Sequence, residues 1–137
     1  MSQEEKDLII KDICARLPYH VKVEITYSKE NGSSLRQKIC KEGVAELNSS
    51  ILWLYEKNEI NIKPYLFPMP NANEDEEFNK FLDELVEIEL KVISEELECD
   101  SPFEYEMNYY HKNHIDYRYR GLIEKGFAID ATGKNIY

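Results

Sequence analysis

Residues 74–98 constrain the fold of this chain most strongly, because they combine helical periodicity with nearly all of the net charge. They hold eleven acidic residues against Lys80 and Lys91, which accounts for nine of the ten net negative charges of the chain. Their apolar residues recur at the spacing of one helix face: Phe78, Phe81, Leu82, Leu85, Ile88 and Val92, widened by Val86, Leu90, Ile93 and Leu97. We predict one long amphipathic helix with an acidic face, starting at Asn73 and Glu76.

Three prolines precede this helix and divide the chain. Pro64, Pro68 and Pro70 each lack a backbone donor, so residues 63–73 are predicted to form no regular interior element. The resulting organisation is a helix with a small sheet over residues 1–67, a proline-rich linker over 68–73, and a helical part over 74–137 that packs on the sheet.

The N-terminal part reads as one helix followed by short strands. Ser2 and Glu5 have capping-box spacing, which predicts a helix over residues 3–16. Apolar and polar residues then alternate over 21–27, as in a half-buried strand. The remaining predicted elements are a hairpin turn at 30–32, a return strand over 35–40, a strand over 44–47, a fully buried strand over 51–55 centred on Trp53, and a strand at Ile60 and Ile62.

The C-terminal part is less regular. A helix is predicted over residues 116–125 with Gly126 as its terminator, and a short strand over 127–129. Residues 105–114 receive no assignment. The fold class is therefore α+β: an N-terminal helix, a small antiparallel sheet with barrel-like closure as a variant, and a C-terminal helical part.

Charge and cysteine content limit the classes of partner. A strongly acidic helix repels phosphate and lipid head groups and favours a basic protein partner over nucleic acid or membrane. No apolar run approaches the roughly 20 residues that a membrane span needs. Cys14, Cys40 and Cys99 are widely spaced and odd in number, so neither a disulfide framework nor a zinc site is predicted and the cytoplasm is the expected location.

Catalytic and metal chemistry have weak support. His111, His114 and Asp116, with Cys99, could be drawn as a metal site, but the spacing lacks a strong third ligand and packing histidines are the favoured interpretation. The sequence contains no nucleophile elbow, phosphate loop or zinc-protease motif. We predict no cofactor, no metal and no catalytic residue.

A tyrosine-rich segment near the C-terminus is the one locally basic region. It contains Tyr105, Tyr109, Tyr110, Tyr117 and Tyr119 with Lys112, Arg118 and Arg120. Such a patch can stack the bases of single-stranded nucleic acid. Tyrosines that cover the core with wet hydroxyl groups are favoured instead, since the net charge opposes phosphate binding. A protein-binding patch is the third interpretation.

Three stretches resemble a family of short, largely uncharacterised proteins of gut bacteria, often carried on prophages or other mobile elements. The matching segments are KDICARLPY at 11–19 with Val21 and Lys22, IKPYL at 62–66 with Pro68 and Met69, and HIDYR at 114–118 followed by GLIEKG at 121–126. The sequence departs from the family at Phe67, Pro70 and the pair Tyr119 and Arg120. The resemblance implies an origin and a cytoplasmic location without implying a mechanism.

The predicted function is non-enzymatic binding of a basic protein, as an accessory or regulatory factor. The predicted contact residues are Glu84, Glu87 and Glu95, with Tyr109, Tyr110 and Arg118 as anchors. Mimicry of nucleic acid by the acidic helix is a variant, and a homodimer is a further option. A small hydrolase that uses carboxylate and histidine groups, and a nucleic-acid module that uses the tyrosine and arginine patch, are the alternative classes.

Overall fold

The computed structural model describes residues 2–28, 34–71, 73–94, 102–117 and 120–137, with residues 34–36 as backbone only. Within these ranges the elements are α1 (Gln3–Arg16), β1 (Lys22–Tyr27), α2 (Ser34–Ile39), β2 (Gly43–Glu46), α3 (Ser49–Glu56), β3 (Ile60–Pro68), α4 (Glu76–Ile93), α5 (Pro102–Lys112), β4 (Ile115–Asp116) and β5 (Ile129–Asp130).

Helix α1 begins and ends where the sequence predicts. Glu5 N donates to Ser2 Oγ and Ser2 N donates to the Glu5 carboxylate, which completes the capping box. A 3-10 turn that contains Pro18 follows the helix. The helix lays Ile9 and Ile13 into the main hydrophobic core.

The sheet is mixed and open. Its strand order is β2-β1-β3-β4, with β5 also paired to β3. Strand β1 pairs antiparallel with β2 and with β3, whereas β4 and β5 pair parallel with β3. The α+β class is confirmed, and β1, β2 and β3 form the predicted antiparallel part; the parallel pairing of β4 and β5 was not predicted, and the sheet is not closed into a barrel, the variant that the sequence left open. The later strands reach β3 through long connections that allow parallel pairing.

Strand β3 runs through part of the segment that the prolines led us to exclude. It pairs with β1 from Ile60 to Pro64, and its pairing with β5 begins at Tyr65. Pro64 is buried and stands where the ladder to β1 ends, a place where a strand tolerates the loss of a backbone donor. The prediction of no regular element over residues 63–73 is therefore wrong for the part that extends to Pro68.

Two predicted strands are helices. Residues 51–55 lie in α3, which Asn48 caps by accepting from Ile51 N at 2.9 Å. Ile51, Leu54 and Tyr55 face the core at helical spacing, and Trp53 is 45% exposed, so Trp53 is not the centre of the sheet core. A continuous apolar run suits either structure, and the cap together with the periodicity decides for the helix.

The predicted return strand over residues 35–40 is α2. Its alternating pattern rested on few strongly apolar residues, which leaves the period undecided. The strand over 44–47 is confirmed in outline as β2, an edge strand that pairs only with β1 among the described strands. The predicted turn at residues 30–32 lies outside the described residues.

Helix α4 packs against α5 and forms a second hydrophobic cluster. Asp75, rather than Asn73, caps α4 by accepting from Phe78 N. The cluster contains Phe78, Phe81, Leu85, Met107, Tyr110, Ile115 and Tyr117. The long amphipathic helix is confirmed over Glu76–Ile93, and residues 95–98 lie outside the described ranges.

The segment after β4 is a series of turns. The predicted helix over residues 116–125 is wrong: β4 ends at Asp116, and the described residues 120–128 form turns and bends. The Asp116 carboxylate accepts from Leu122 N and Ile123 N, both at 3.0 Å, so it organises these turns. Gly126 adopts a positive φ of 79°, as its predicted left-handed role requires.

Candidate functional site

A buried charge pair lies on the core face of α1. Arg16 donates to Asp12 from Nε at 2.8 Å and from Nη2 at 3.3 Å, and both side chains are fully buried. The two residues are one helical turn apart, which permits this bidentate geometry. Arg16 Nη1 is buried without a hydrogen-bond partner among the residues that the structure describes. The guanidinium group of Arg16 is therefore held inside the fold and is not solvated.

Groups from the C-terminal turns converge on the same carboxylate. Arg120 Nη1 lies 3.6 Å from Asp12 Oδ1 and donates to Leu8 O at 3.1 Å. Tyr117 is hydrogen-bonded to Asp12. Burial is the main cause that raises the pKa of its phenol, and the negative charge of Asp12 is the second. The guanidinium groups of Arg16 and Arg120 lie over the Tyr117 ring, with centroid distances of 5.7 and 5.4 Å. Asp12 thus ties α1 to the segment after β4.

Two histidines border this cluster in neutral form. Burial, together with Arg16 and Arg120 and against the opposing effect of Asp12, lowers the pKa of His111 to about 4. Burial and nearby cations, Arg16 first among them, lower the pKa of His114 to about 4. His111 Nε2 and His114 Nδ1 are buried and have no hydrogen-bond partner within the described ranges. A neutral imidazole can accept or donate a hydrogen bond, and it is a weak proton donor at neutral pH.

His114 belongs to a second arrangement around the C-terminal residue. Its ring stacks on Tyr137 at 3.7 Å and 11°. Tyr137 Oη accepts from Lys22 N at 2.8 Å and donates to Tyr65 O at 2.7 Å. Burial raises the pKa of Tyr137 to about 12. His114 therefore packs the chain terminus against the sheet.

Asp116 completes the set that the sequence offered as metal ligands. Its carboxylate is engaged by Leu122 N and Ile123 N. No group of three or more histidine, cysteine, aspartate or glutamate residues that could hold a metal ion occurs in the described part of the chain. Cys99 lies outside it. Cys14 is exposed and Cys40 is buried.

The buried residues Asp12 and Arg16, together with Arg120 and Tyr117, form a charge cluster. A cleft of about 400 Å³ lies beside this charge cluster, between α1 and α5. Its apolar walls are Leu8, Phe103 and Met107, and its polar lining consists of Lys11, His111, Tyr117 and Arg120. A neighbouring depression shares Phe103, Met107 and His111 and adds Glu104 and Asn108. The buried polar cluster thus meets solvent at a concave surface.

Of the predicted partner-binding residues that the structure describes, only some are exposed. Glu84 is exposed on α4 and accepts from Tyr105 Oη at 3.1 Å, and Glu87 is exposed. Tyr109 is half-buried because its ring stacks on Phe81 at 3.8 Å and 8°. Tyr110 is only 4% exposed and belongs to the second hydrophobic cluster. Glu95 and Arg118 lie outside the described residues.

The far end of α4 carries an exposed apolar stripe that the sequence placed on the buried face. Val86, Leu90 and Ile93 are 52%, 61% and 78% exposed. Their spacing of four and three residues places them on one face of the helix, beside the face that Phe81 and Leu85 bury against α5. Asp83, Glu87 and Glu89 are exposed around the stripe. This acidic-rimmed stripe, defined by Val86, Leu90 and Ile93, is a candidate interface.

Some of these groups carried a sequence signal. Asp12 and Arg16 interrupt the apolar face that Ile9 and Ile13 define on α1, and two opposite charges one turn apart on a buried face indicate a buried pair. Lys11 and Arg120 carried no such signal, because they meet at the cleft only through the tertiary fold.

Comparisons with protein-family models, with curated proteins and with solved structures found no match to this chain. Among the described helices, none has both the length and the apolar character required to cross a membrane.

Proposed function

We propose that the protein is a non-enzymatic binding factor that presents the acidic-rimmed stripe of α4 to a basic protein. The observation that carries the proposal is the exposure of Val86, Leu90 and Ile93 on a helix whose neighbouring face already packs on α5. Exposed apolar residues that line up beneath polar rims are typical of protein interfaces.

The charges around the stripe select the chemistry of the partner. Helix α4 has six acidic residues, all of them exposed, and two basic residues, Lys80 and Lys91. A second copy of the same stripe would bring like charges together and is therefore disfavoured. A segment with lysine or arginine beside apolar residues, such as a basic amphipathic helix, would satisfy both the stripe and its rim. We place this interaction in the cytoplasm, and an accessory role for a mobile element rests on the sequence resemblance alone.

The partner anchors differ from those that the sequence favoured. Glu87 remains in the proposed interface and is joined by Asp83 and Glu89. Tyr110 is removed because its ring fills the cluster between α4 and α5. Tyr109 is half-buried, since one face of its ring stacks on Phe81, and it is not used as an anchor.

The test is a quantitative pull-down from a cell extract with matched variants. A stripe variant replaces Val86, Leu90 and Ile93 with serine, and its control replaces Val44 and Trp53, which are exposed apolar residues outside α4. A charge variant changes Asp83→Asn, Glu87→Gln and Glu89→Gln, and its control neutralises the exposed residues Glu4, Glu56 and Glu124. All of these are surface changes, for which stability shifts of about 0.5 kcal/mol or less are usual.

We expect basic proteins that bind the wild type and both controls and are lost from the stripe and charge variants. Retention should also fall with salt, because exposed charges are screened over about 8 to 10 Å at physiological ionic strength. Recovery of the same proteins by all five forms would refute the proposal. Sedimentation that shows a dimer in the wild type and a monomer in the stripe variant would assign the stripe to a second copy instead.

A further inference from the structure

The cleft between α1 and α5 has a positive lining in a protein of net charge −10. Lys11 and Arg120 line it, and the fully buried Arg16 lies behind it, whereas Asp12 is the single carboxylate of the charge cluster. Three cations against one anion leave a local excess of positive charge. In a partly buried site such an excess acts more strongly than it would at the open surface.

The rest of the lining is an apolar wall, the His111 imidazole and Tyr117, which is hydrogen-bonded to Asp12. Leu8, Phe103 and Met107 provide an apolar wall. His111, which is 8% exposed, lines the same cleft, and its buried Nε2 has no hydrogen-bond partner in the described part of the chain. A buried polar atom without a partner is unfavourable, so a ligand that hydrogen-bonds to it would be stabilised.

We propose that this cleft binds a small organic anion, one with a carboxylate or phosphate-ester group on an apolar body. The anionic group lies toward Lys11 and Arg120, where His111 Nε2 can donate to it. The apolar body lies along Phe103 and Met107. The neighbouring depression contains Glu104, so an anionic group would avoid that end of the cleft.

The arrangement makes His111 a reporter of occupancy. Arg16 and Arg120 both lower the pKa of His111, and Asp12 opposes them. A bound anion would offset the two guanidinium groups and raise the pKa of His111 toward its ordinary value. His20, which is exposed and does not line the cleft, serves as an internal reference in the same protein.

The experiment follows the imidazole signals by NMR during titration with four probes. Benzoate and phenyl phosphate carry an anion on a ring, benzyl alcohol carries the ring alone, and inorganic phosphate carries the charge alone. We expect saturable shifts of the His111 signals and a raised His111 pKa with benzoate or phenyl phosphate, and the preferred probe distinguishes a carboxylate from a phosphate ester. Equal binding of benzyl alcohol or of inorganic phosphate would overturn the proposal, as would the absence of saturation with both aromatic anions.

Variants test the assigned cations. Lys11→Gln changes an exposed residue and should weaken binding of the aromatic anion about tenfold, the loss expected for one charge-assisted contact. Lys57→Gln is the matched control, because Lys57 is exposed and does not line the cleft, and it should bind as the wild type does. Arg120→Gln should abolish binding if the variant folds. Unchanged affinity in Lys11→Gln would overturn the assignment without depending on the stability of the Arg120 variant.

Discussion

The buried pair of Asp12 and Arg16 gives the sharpest prediction about stability. The substitution Asp12→Asn keeps the size of the side chain and removes its charge. Arg16 would then be a fully buried guanidinium without a counterion, because arginine does not deprotonate in proteins. Arg120 would lose its ion-pair partner, and Tyr117 would lose the carboxylate to which it is hydrogen-bonded. The variant therefore measures the effect of removing the buried counterion, which falls mainly on the fully buried Arg16.

The expected loss is about 3 to 5 kcal/mol, the range found when one partner of a buried ion pair is removed. The low end would apply if the asparagine oxygen still accepts from Arg16 Nε, which lies 2.8 Å from the present carboxylate. The high end would apply if the guanidinium must move toward water. With a urea dependence of about 2 kcal/mol per molar, the unfolding midpoint should fall by about 1.5 to 2.5 M.

The assay is urea unfolding at neutral pH followed by far-ultraviolet circular dichroism, which suits a protein whose described residues are 48% helical. The matched variant Asp12→Leu with Arg16→Met removes both charges and fills a similar volume. Replacing a buried ion pair with apolar residues is often neutral, so the double variant should be more stable than Asp12→Asn alone. Its remaining loss comes from Arg120, which is partly exposed and can be hydrated.

Two results would refute this reasoning. A loss below about 1 kcal/mol in Asp12→Asn would mean that water or another group compensates Arg16 in solution. A loss of stability in the double variant that equals the sum of the losses in Asp12→Leu alone and Arg16→Met alone would mean that the two residues are not coupled.

Three further predictions concern the histidines, the aromatic residues and the C-terminal turns. Because the folded pKa of His111 is about 4 and the unfolded value is 6.5, the neutral ring stabilises the fold fully above pH 6.5, and this stability is lost as the pH falls toward 4. At pH 5 protonation of His111 lowers the free energy of unfolding by about 2 kcal/mol. The urea midpoint should therefore fall between pH 7 and pH 5, and it should fall less in His111→Gln. An equal fall of the midpoint in the variant would contradict this. Tyr110→Ala should cost about 3 to 5 kcal/mol and Trp53→Ala less than about 1 kcal/mol, and thermal melts that rank them in the opposite order would place Trp53 in the core. Asp116→Ala should cost about 2 to 3 kcal/mol because Leu122 N and Ile123 N lose their acceptor, whereas an unchanged melting temperature would show that these turns do not need the carboxylate.

The sequence by itself determined the elements whose signals are local. The capping box at Ser2 and Glu5 determined the start of α1, and strict alternation predicted strand β1, in which Val23 and Ile25 are fully buried. The acidic amphipathic helix was also readable, because helical periodicity over 18 residues cannot be mistaken for a strand. These patterns depend on the spacing of residues along the chain and on little else.

Only the tertiary structure decided the elements whose local signals were ambiguous. The apolar run around Trp53 suits a strand or a helix, and the side that meets the core selects the helix. Pro64 argued against a strand until the ladder to β1 was seen to end at that residue. The tyrosine at position 110 looked like a surface residue because tyrosine is amphipathic, and the packing of α4 on α5 buries it.

The candidate sites also depend partly on local sequence signals and partly on tertiary packing. The acidic face of α4 was readable from the sequence, but the apolar residues that α5 leaves uncovered were not, because their exposure depends on how α5 packs against α4. Lys11 of α1 and Arg120 of the C-terminal turns are more than one hundred positions apart, and they line one cleft only because Asp12 and Leu8 O hold Arg120 against α1. Local spacing determines secondary structure, whereas the meeting of distant charges depends on how the elements pack.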